Sequence, residues 1–211
     1  MDVYEAIAAR KTIRDFAALE IDSAMIEKLV AAGMQAPTNN HMREWHFIIL
    51  QDKNKRKTLL DQVIHPVDER GAVDIVNDWG LVDESQRRMY IENIPRQYAM
   101  LFQAGCLMLP CFRQTSDLIK PRDMFALNPF ASIWCCIENI LIAAAAEGIF
   151  GVTRIPFEEE RTVIKQFLNI PTDYEVPCYL ALGYPTPNAR RAAQVDINLQ
   201  ERIHLNGWPL E

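Results

Sequence analysis

Stretches in which apolar residues recur every three or four positions alternate along the chain with short, uninterrupted apolar runs. The first pattern is typical of helices that bury one face, and the second is typical of strands that are buried on both faces. Helices are predicted over residues 2–10, from Asp22 or Ser23 to residue 36, and over residues 53–63, 84–98, 130–147 and 158–168. Strands are predicted over residues 46–50, 106–112, 152–155 and 179–183.

Two segments lack such a pattern. Residues 65–83 are mixed and polar, and they are predicted to form a variable loop or lid. The tail, residues 185–211, has little core pattern and is expected to wrap around another surface. Gly148 and Gly151 are predicted to end the long helix over residues 130–147.

The order of the predicted elements defines a fold class. Helices separate the strands, and a chain of 211 residues with 49% apolar positions is long enough to bury a sizeable core. We therefore predict a single domain over residues 1–211, of the α+β or α/β class, with three layers.

Composition and charge exclude several kinds of protein. The net charge of −6 argues against general nucleic-acid binding. The longest uninterrupted apolar run is residues 140–146, far below the ~20 residues of a membrane-spanning helix, so no membrane contact is predicted. The first residues do not resemble a signal peptide, and five cysteines without a C-x-x-C pair indicate a reducing cytoplasm and no metal site.

No glycine motif for nucleotide binding is present, neither a dinucleotide fingerprint nor a P-loop. A nucleotide would therefore have to be held by side chains, and arginine suits a phosphate dianion. The sequence has three cationic clusters, namely residues 10–14, Arg87–Arg88 and Arg190–Arg191. We interpret Arg87–Arg88 as a solvated helix face and keep the other two as candidate phosphate ligands.

Residues 36–47 carry many polar side chains between a predicted helix and a predicted strand. Two amides, a hydroxyl, an imidazole, a guanidinium and an indole occur there, although a plain connection needs only ~2–6 residues. Such a set of donors suits a flat heteroaromatic ring that is hydrogen-bonded along its edge. The alternative is an ordinary turn in which Trp45 is a core residue.

In combination, these motifs resemble the nitroreductase family of FMN-dependent NAD(P)H oxidoreductases. Residues 10–16 (RKTIRDF) match the family's Arg-(Arg/His)-Ser-x-(Arg/Lys)-x-Phe, and residues 36–45 match its Ala-Pro-Ser-x-x-Asn-x-Gln-Pro-Trp with four departures. Thr38 replaces the serine, His41 the asparagine, Arg43 the glutamine and Glu44 the proline. The resemblance continues through residues 147–151, 181–185 and 202–208, whereas residues 66–95 match poorly. It implies a three-layer α/β/α sandwich, with helices flanking a central mixed sheet and a C-terminal tail exchanged in a dimer.

The resemblance also implies roles for individual residues. Arg10 and Lys11 would face the FMN phosphate, Thr12 the ribityl chain, and Arg14 the ribityl chain or the pyrimidine edge. The backbone around Arg154 and Ile155 would lie near flavin N5, and Arg190 or Arg191 would complete the phosphate clamp. The residues that would come from the partner subunit or line the isoalloxazine rim are Pro37, Thr38, Asn39, His41 and Arg43.

The expected activity is electron transfer from NADH or NADPH through FMN to an organic acceptor such as a nitroaromatic or a quinone, by a ping-pong mechanism. No side chain is assigned as catalytic, because the flavin carries the chemistry. Two alternatives stay open. One is a flavoenzyme of narrower range, namely a dehalogenase, an enone reductase or a flavin-consuming enzyme. The other is a flavin-binding redox module without efficient turnover.

A homodimer is expected from the resemblance and from two features of the sequence. The helix over residues 130–147 is apolar on more than one face, which a single small domain would not cover. The tail contains four large apolar residues that would be unfavourable in water, namely Ile203, Leu205, Trp208 and Leu210. Both features fit a dimer in which helix meets helix and the tail embraces the partner.

Overall fold

The computed structural model describes residues 1–191 and 196–208, which form helices around one antiparallel sheet. The helices are α1 (Val3–Ala9), α2 (Ser23–Gly33), α3 (Lys53–Val63), α4 (Glu69–Asp78), α5 (Glu84–Asn93), α6 (Gln97–Gln103), α7 (Asn128–Ala146) and α8 (Glu158–Phe167). The strands are β1 (Trp45–Ile49), β2 (Cys106–Arg113), β3 (Phe150–Arg154), β4 (Tyr174–Glu175) and β5 (Tyr179–Gly183). Short 3₁₀ turns cover Ile94–Arg96, Met124–Leu127 and Leu199–Glu201.

Helices α1 to α5 each begin after an aspartate. The aspartate side chain accepts a hydrogen bond from a backbone N–H of the first helical turn, which satisfies a donor that has no partner within the helix. In α1 the cap is reciprocal, because Glu5 also accepts from the backbone N–H of Asp2. These caps explain why the predicted starts of α2 and α3 agree with the structure. The five capping residues are Asp2, Asp22, Asp52, Asp68 and Asp83.

The sheet has the strand order β1-β2-β5-β3, with β4 added to the end of β2. Its strands pair antiparallel, and Met108, for example, lies opposite both Ile49 of β1 and Leu180 of β5. Within the described residues, the parallel part of the sheet is the single bridge between Thr12 and Gly151. That bridge places the N-terminal segment along the free edge of β3.

Side chains of the sheet alternate between two cores. On one face Leu107 and Leu109 of β2 pack with helices α3, α6 and α8; on the other Cys106 and Met108 pack with α2 and α7. Because both faces are covered, β2 and β5 are almost continuously apolar rather than alternating. This arrangement is the predicted three-layer sandwich.

Helix α7 is the central helix of the second core. A Cβ on Gly33 would lie 2.7 Å from Ile140 Cγ1, so the glycine permits α2 to approach α7 closely. The helix ends at Ala146, and Gly148 directly after the cap residue Glu147 has a φ of +72°, which glycine readily adopts. By length and composition alone residues 124–146 could cross a membrane, but a core helix passes the same test, and Ile133 and Ile140 are fully buried here.

The structure corrects several predictions for individual elements. Residues 65–83 are not simply a loop, because α4 forms there around the buried Ala72 and Val76. The predicted helix over 84–98 breaks at Ile94–Arg96, where Pro95 lacks the N–H that a continuous helix needs. Gly151 does not end a helix but lies within β3, and the sequence pattern does not predict the two-residue strand β4.

Helices α4 and α5 form a hairpin with its own small core. Ala72, Val76 and Ile94 are its buried residues, and Val67, Ile75, Leu81, Tyr90 and Ile91 pack around them. This cluster is separate from the two cores of the sandwich. We call residues 67–94 the α4–α5 hairpin; its position over the sheet edge makes it one wall of the site described below.

Large apolar side chains are exposed on the N-terminal helix α1 and in the tail. Val3, Tyr4 and Ile7 of α1 are exposed beside α7, to which α1 packs. The tail exposes the predicted apolar residues, with Trp208 at 81%. Leu210 lies outside the described residues. The exposed large apolar residues of the tail are Ile197, Leu199, Ile203, Leu205 and Trp208.

Candidate functional site

Backbone pairing brings two of the cationic clusters together. Thr12 forms its bridge with Gly151, and Phe16 forms an antiparallel bridge with Pro185. Residues 10–16 are thereby held between β3 and the segment that follows β5. Because Arg190 and Arg191 come five and six residues after Pro185, the two clusters lie near one another although about 180 residues separate them.

The space between these clusters and α5 is a cleft of about 550 Å³, which we call the cationic cleft. Five arginines and four carboxylates line it, so it is polar rather than simply positive. The arginines are Arg14, Arg88, Arg96, Arg190 and Arg191, and the carboxylates are Asp15, Asp83, Glu84 and Glu92.

Some of these arginines have carboxylate partners and others do not. Arg96 forms an ion pair with Asp15, which also accepts from the backbone N–H of Arg190 at 3.1 Å. Arg88 pairs with Glu84 on the exposed face of α5. Arg14 is different: its side-chain contact within the described residues is the thioether of Met89, with Nη2 3.7 Å from Sδ. A thioether is a weak acceptor, so this guanidinium keeps most of its capacity to bind a ligand.

Electrostatics in the cleft favour an anion. Burial lowers the pKa of Lys11, and the nearby positive charge of Arg191 lowers it further. Burial also lowers the pKa of Arg14; Tyr90 partly opposes this, whereas Arg96 adds to it. Like charges gathered in this way repel each other until an anion neutralises them. Arg14 and Arg191, which line the cleft, therefore form the cationic side of a candidate phosphate site, with Lys11 near Arg191 but outside the lining.

A second cleft of about 380 Å³ adjoins the first, and Arg14, Met89 and Asn93 line both. We call it the β3 cleft, because the end of β3 and the turn after it, residues 152–157, form its floor. Trp79 and Tyr90 of the hairpin form its opposite wall with an edge-to-face contact, their ring centroids 5.2 Å apart. The two clefts together offer a charged end and a flat, largely apolar end.

The structure places several predicted site residues elsewhere. Arg10 points to α7, where its Nε lies 3.2 Å from Glu138 Oε1, and Lys11 Nζ lies 4.4 Å from the ring centroid of Phe150. Neither residue lines the cationic cleft. The side chain of Arg154 is paired with Glu160, so the candidate contact with a ligand there comes from backbone, together with the exposed Ile155. Thr12 contributes the bridge to β3 described above.

Residues 37–43 lie apart from both clefts within one chain. Thr38, Asn39 and Arg43 instead line a small polar depression near Ser132 of α7, whose Oγ accepts from the backbone N–H of Asn39 at 3.3 Å. His41 and Arg43 adopt positive φ angles, and Pro37 is exposed. Thr38 Oγ1 is buried without a hydrogen-bond partner in the described structure. Because this polar segment lies apart from both clefts, it could contact a ligand in such a cleft only if that cleft belonged to a second chain.

The hairpin supplies cleft residues that the sequence did not predict. Met89, Asn93 and Trp79 line the clefts, and Arg88 lies on the rim. The interpretation of Arg87–Arg88 as a solvated face is wrong for Arg87, which donates to Leu81 O at 2.8 Å and to Asn77 Oδ1 at 2.7 Å. Only the pair of adjacent arginines gave a signal, because the remaining hairpin residues have no distinctive chemistry.

Comparison with known proteins agrees with this architecture. The nitroreductase family model matches residues 7–184. The chain is 26% identical over 213 residues, 99% of this chain and 88% of the other, to a protein of Methanothermobacter thermautotrophicus whose name designates a candidate NADH dehydrogenase/NAD(P)H nitroreductase.

Two solved structures share the fold. One is the NADPH:FMN oxidoreductase of Vibrio harveyi complexed with NAD⁺, with a TM-score of 0.68, 17% identity, and coverage of 99% of this chain and 79% of that chain. The other is iodotyrosine deiodinase bound to FMN and 3-iodo-L-tyrosine, with a TM-score of 0.69, 16% identity, and coverage of 98% and 100%.

The chain belongs to the nitroreductase family. It is an NAD(P)H-dependent oxidoreductase with the α+β fold of that family, so the predictions of family, fold class and enzyme class are confirmed. The predictions of FMN as cofactor and NAD(P)H as electron donor also agree with the family.

Proposed function

We propose that this protein is an FMN-dependent oxidoreductase that transfers electrons from NADH or NADPH to an organic acceptor such as a nitroaromatic or a quinone. The observation that carries the proposal is Arg14, a half-buried guanidinium without a carboxylate partner in the described residues, at the junction of the cationic and β3 clefts. This is the position from which one side chain reaches both a charged tail and the polar edge of a ring.

The residues present fit FMN. Lys11, Arg190 and Arg191 would hold the phosphate at one end, and their charge suits a phosphate dianion. Arg14 would donate to the ribityl chain or the pyrimidine edge, and the backbone of Thr153 to Ile155 would lie along the ring. The two clefts have the size of small-molecule sites. The other lining arginines, Arg88, Arg96 and Arg154, are each paired with a carboxylate, so they do not form a second anion site for a pyrophosphate.

When bound, FMN would supply the redox chemistry, namely hydride transfer from NAD(P)H and electron transfer to the acceptor. The protein's own part is position and charge. Arg14 would stabilise negative charge at the pyrimidine edge, and Trp79 and Tyr90 would exclude water from the β3 cleft. Since one cleft would serve donor and acceptor in turn, the kinetics are expected to be ping-pong.

We further propose that the active unit is a homodimer with the whole chain as one domain. The partner would supply Pro37, Thr38, Asn39, His41 and Arg43 to the rim of the ring. The exposed apolar side chains of α1 and of the tail support this assembly, with the tail exchanged between subunits. Arg10, close to α7, would join the phosphate clamp if Glu138 released it.

The described cysteines, all five of the chain, are free, which supports the cytoplasm as the compartment. A narrower flavoenzyme and a redox module with little turnover remain competing functions. The polar and charged lining that the hairpin adds to the clefts favours the first of these, because it offers groups that could select one acceptor.

The test is to purify the protein, record its absorbance spectrum and identify any cofactor released by heat. FMN that is bleached by NADH or NADPH and reoxidised by a nitroaromatic or quinone supports the proposed activity. Reoxidation by one class of acceptor alone would favour the narrower enzyme, and bound flavin that neither nicotinamide reduces would favour the redox module. Released FAD, or a colourless protein that does not bind added FMN, would contradict the proposal.

Mass measurement by light scattering tests the dimer. We expect a species of twice 24.2 kDa that loses colour when it dissociates. A yellow species with the mass of one chain would contradict a shared site.

A further inference from the structure

A buried ion pair lies directly beneath the β3 cleft. Arg154, the last residue of β3, donates from Nη1 to Glu160 Oε2 at 2.5 Å and from Nη2 to Glu160 Oε1 at 2.7 Å. Its Nε donates to Gln97 Oε1 at 2.7 Å. The side chains of Arg154 and Glu160 are each only 9% exposed. All three guanidinium nitrogens are therefore engaged by protein acceptors, which fixes the orientation of this side chain.

Aromatic rings pack around the ion pair. The guanidinium carbon lies 5.5 Å from the ring centroid of Tyr179 and 5.7 Å from that of Phe157. The Tyr179 hydroxyl donates to Glu160 Oε2 at 3.4 Å, and burial raises the pKa of that hydroxyl, so it remains a donor. Tyr179 of β5 thus contacts the ion pair on its inner side, and Phe157 of the turn contacts it on its outer side.

These side-chain contacts hold the turn between β3 and α8, residues 155–157, in one position. Arg154 and Glu160 enclose the turn between β3 and α8, in which Ile155 and Phe157 are exposed and Pro156 has no N–H. Gln97 adds the start of α6 to the same clasp. The backbone of residues 153–155 forms the floor of the β3 cleft, so the clasp determines where that floor lies.

The location of the pair argues for a role beyond stability. Replacing a buried ion pair by apolar residues is often neutral or stabilising, so such a pair is weak evidence of stabilisation. The chain also contains a comparable, partly buried ion cluster between α8 and β4, where Glu175 accepts from Arg161 at 2.7 Å and from Lys165 at 2.9 Å. That cluster lies away from both clefts, and it provides a matched comparison.

We propose that the Arg154–Glu160 pair positions the β3–α8 turn against the flavin ring, which makes Arg154, Glu160 and Gln97 positioning residues for electron transfer. This inference rests on the proposed function, because it requires FMN in the two clefts. A displaced floor would change the contacts of the ring and the approach of the nicotinamide, whereas the phosphate clamp on the other side of the cleft would stay in place.

The test compares Glu160→Gln with the matched control Glu175→Gln. For each we would measure the thermal stability of the apoprotein, the FMN dissociation constant by fluorescence titration, and the absorbance spectrum and midpoint potential of bound FMN. Glu160→Gln is expected to shift the spectrum and the potential and to lower kcat about 10- to 100-fold. The FMN dissociation constant should change less than about threefold, because the phosphate contacts remain.

Glu175→Gln is expected to lower thermal stability without moving the spectrum, the potential or kcat. Glu160→Asp, which keeps the charge, should restore part of the lost kcat. If Glu160→Gln does not fold, Gln97→Leu takes its place, since it removes one contact of Arg154 and leaves the ion pair intact.

The outcomes separate this inference from the proposed function. A wild-type protein that does not bind FMN contradicts the proposed function. A wild-type protein that binds FMN, together with clasp variants that lose only stability and keep the spectrum, potential and kcat of the wild type, overturns the positioning role.

Discussion

The two walls of the clefts are built in different ways. The wall formed by β3, residues 10–16 and Arg190–Arg191 belongs to the sandwich, which has a large core on each face of its sheet. The opposite wall is the α4–α5 hairpin, which has three buried apolar residues of its own. Both walls contribute charged side chains, but only the first is anchored in a large core.

This difference indicates which wall binds the cofactor and which wall selects the other ligand. A cofactor that stays bound needs contacts of fixed geometry, and those come from elements packed in a large core. A wall with few buried apolar residues opens at lower free energy, and variable ligand contacts are drawn from such regions. We therefore expect the sandwich wall to bind FMN and the hairpin wall to select what meets it.

The largest effect is expected at Arg56 of α3, in the sandwich. Its side chain is fully buried, and it donates to Leu50 O, Phe102 O and Ala104 O at 2.5–2.9 Å. Arg56→Leu removes all of these charge-assisted bonds, leaving the Leu50 carbonyl without its arginine donors and the carbonyls of Phe102 and Ala104 with only the longer bonds from Lys53 Nζ at 3.2 and 3.3 Å, so the free energy of unfolding should fall by about 3–5 kcal/mol. The control is Lys55→Leu on the exposed face of α3, which should change stability by less than about 0.5 kcal/mol.

Chemical denaturation with urea measures both variants. A loss below about 1 kcal/mol for Arg56→Leu would mean that water replaces the lost donors and that the sandwich is less tightly closed than its burial indicates.

The second prediction compares cations on the two walls. Lys11→Met should weaken FMN binding by about 1.5–3 kcal/mol, roughly 10- to 150-fold, because it removes a charge-assisted contact to the phosphate. Arg88→Met on the hairpin, where Arg88 pairs with Glu84, should leave the FMN dissociation constant nearly unchanged. Fluorescence titration of the apoproteins with FMN and with riboflavin, which has no phosphate, measures both effects.

Two outcomes would contradict this contrast between the sandwich wall and the hairpin wall. Equal losses for FMN and riboflavin would mean that Lys11 supports the fold rather than the phosphate. A large loss for Arg88→Met would make the hairpin a cofactor wall. Arg10→Met is a useful third variant. Because Arg10 pairs with Glu138 in this structure, Arg10→Met should weaken FMN binding less than Lys11→Met does, unless dimer formation moves Arg10 toward the phosphate.

The same contrast explains how far the sequence was informative. The sandwich helices α2, α3, α7 and α8 and the strands β2 and β5 follow from apolar periodicity, because a large core imposes it on each element. Of the two hairpin helices, α5 was predicted and α4 was missed, although Ala72, Ile75 and Val76 recur at helical spacing, because the segment is short, mostly polar and contains Gly71. The break at Pro95 was visible in the sequence, and only its consequence for the helix was missed.

The candidate site was likewise predictable only in part. Residues 10–14 and Arg190–Arg191 were predicted to meet, and the bridges at Thr12 and Phe16 bring them together. The partners of individual arginines could not be predicted, because the pairing of Arg154 with Glu160 or of Arg10 with Glu138 depends on side-chain directions in the packed fold. Unpaired and paired arginines look the same in a sequence.

Hydrogen exchange provides the third prediction. Amides of α4 and α5 should exchange through openings of lower free energy than those of β2 and β5, because the hairpin can open while the sandwich stays folded. Mass spectrometry of peptides from the folded protein at equilibrium measures the difference. Equal protection in both regions would show that the hairpin and the sandwich unfold as one unit.

The smallest effect on stability is expected at Trp79, which is 44% exposed and packs edge-to-face on Tyr90 in the hairpin. Trp79→Ala should lower the free energy of unfolding of the sandwich by less than about 1 kcal/mol, since neither large core contains this side chain. Its effect should appear in the acceptor instead: the KM for an aromatic acceptor should rise several-fold, by the roughly 0.5–1.5 kcal/mol of an aromatic contact, while the FMN dissociation constant stays the same. Val82→Ala, an exposed position in the same hairpin that lines neither cleft, is the control and should change none of these quantities. An unchanged KM together with weaker FMN binding would assign Trp79 to the cofactor, and the division of labour between the two walls would then be wrong.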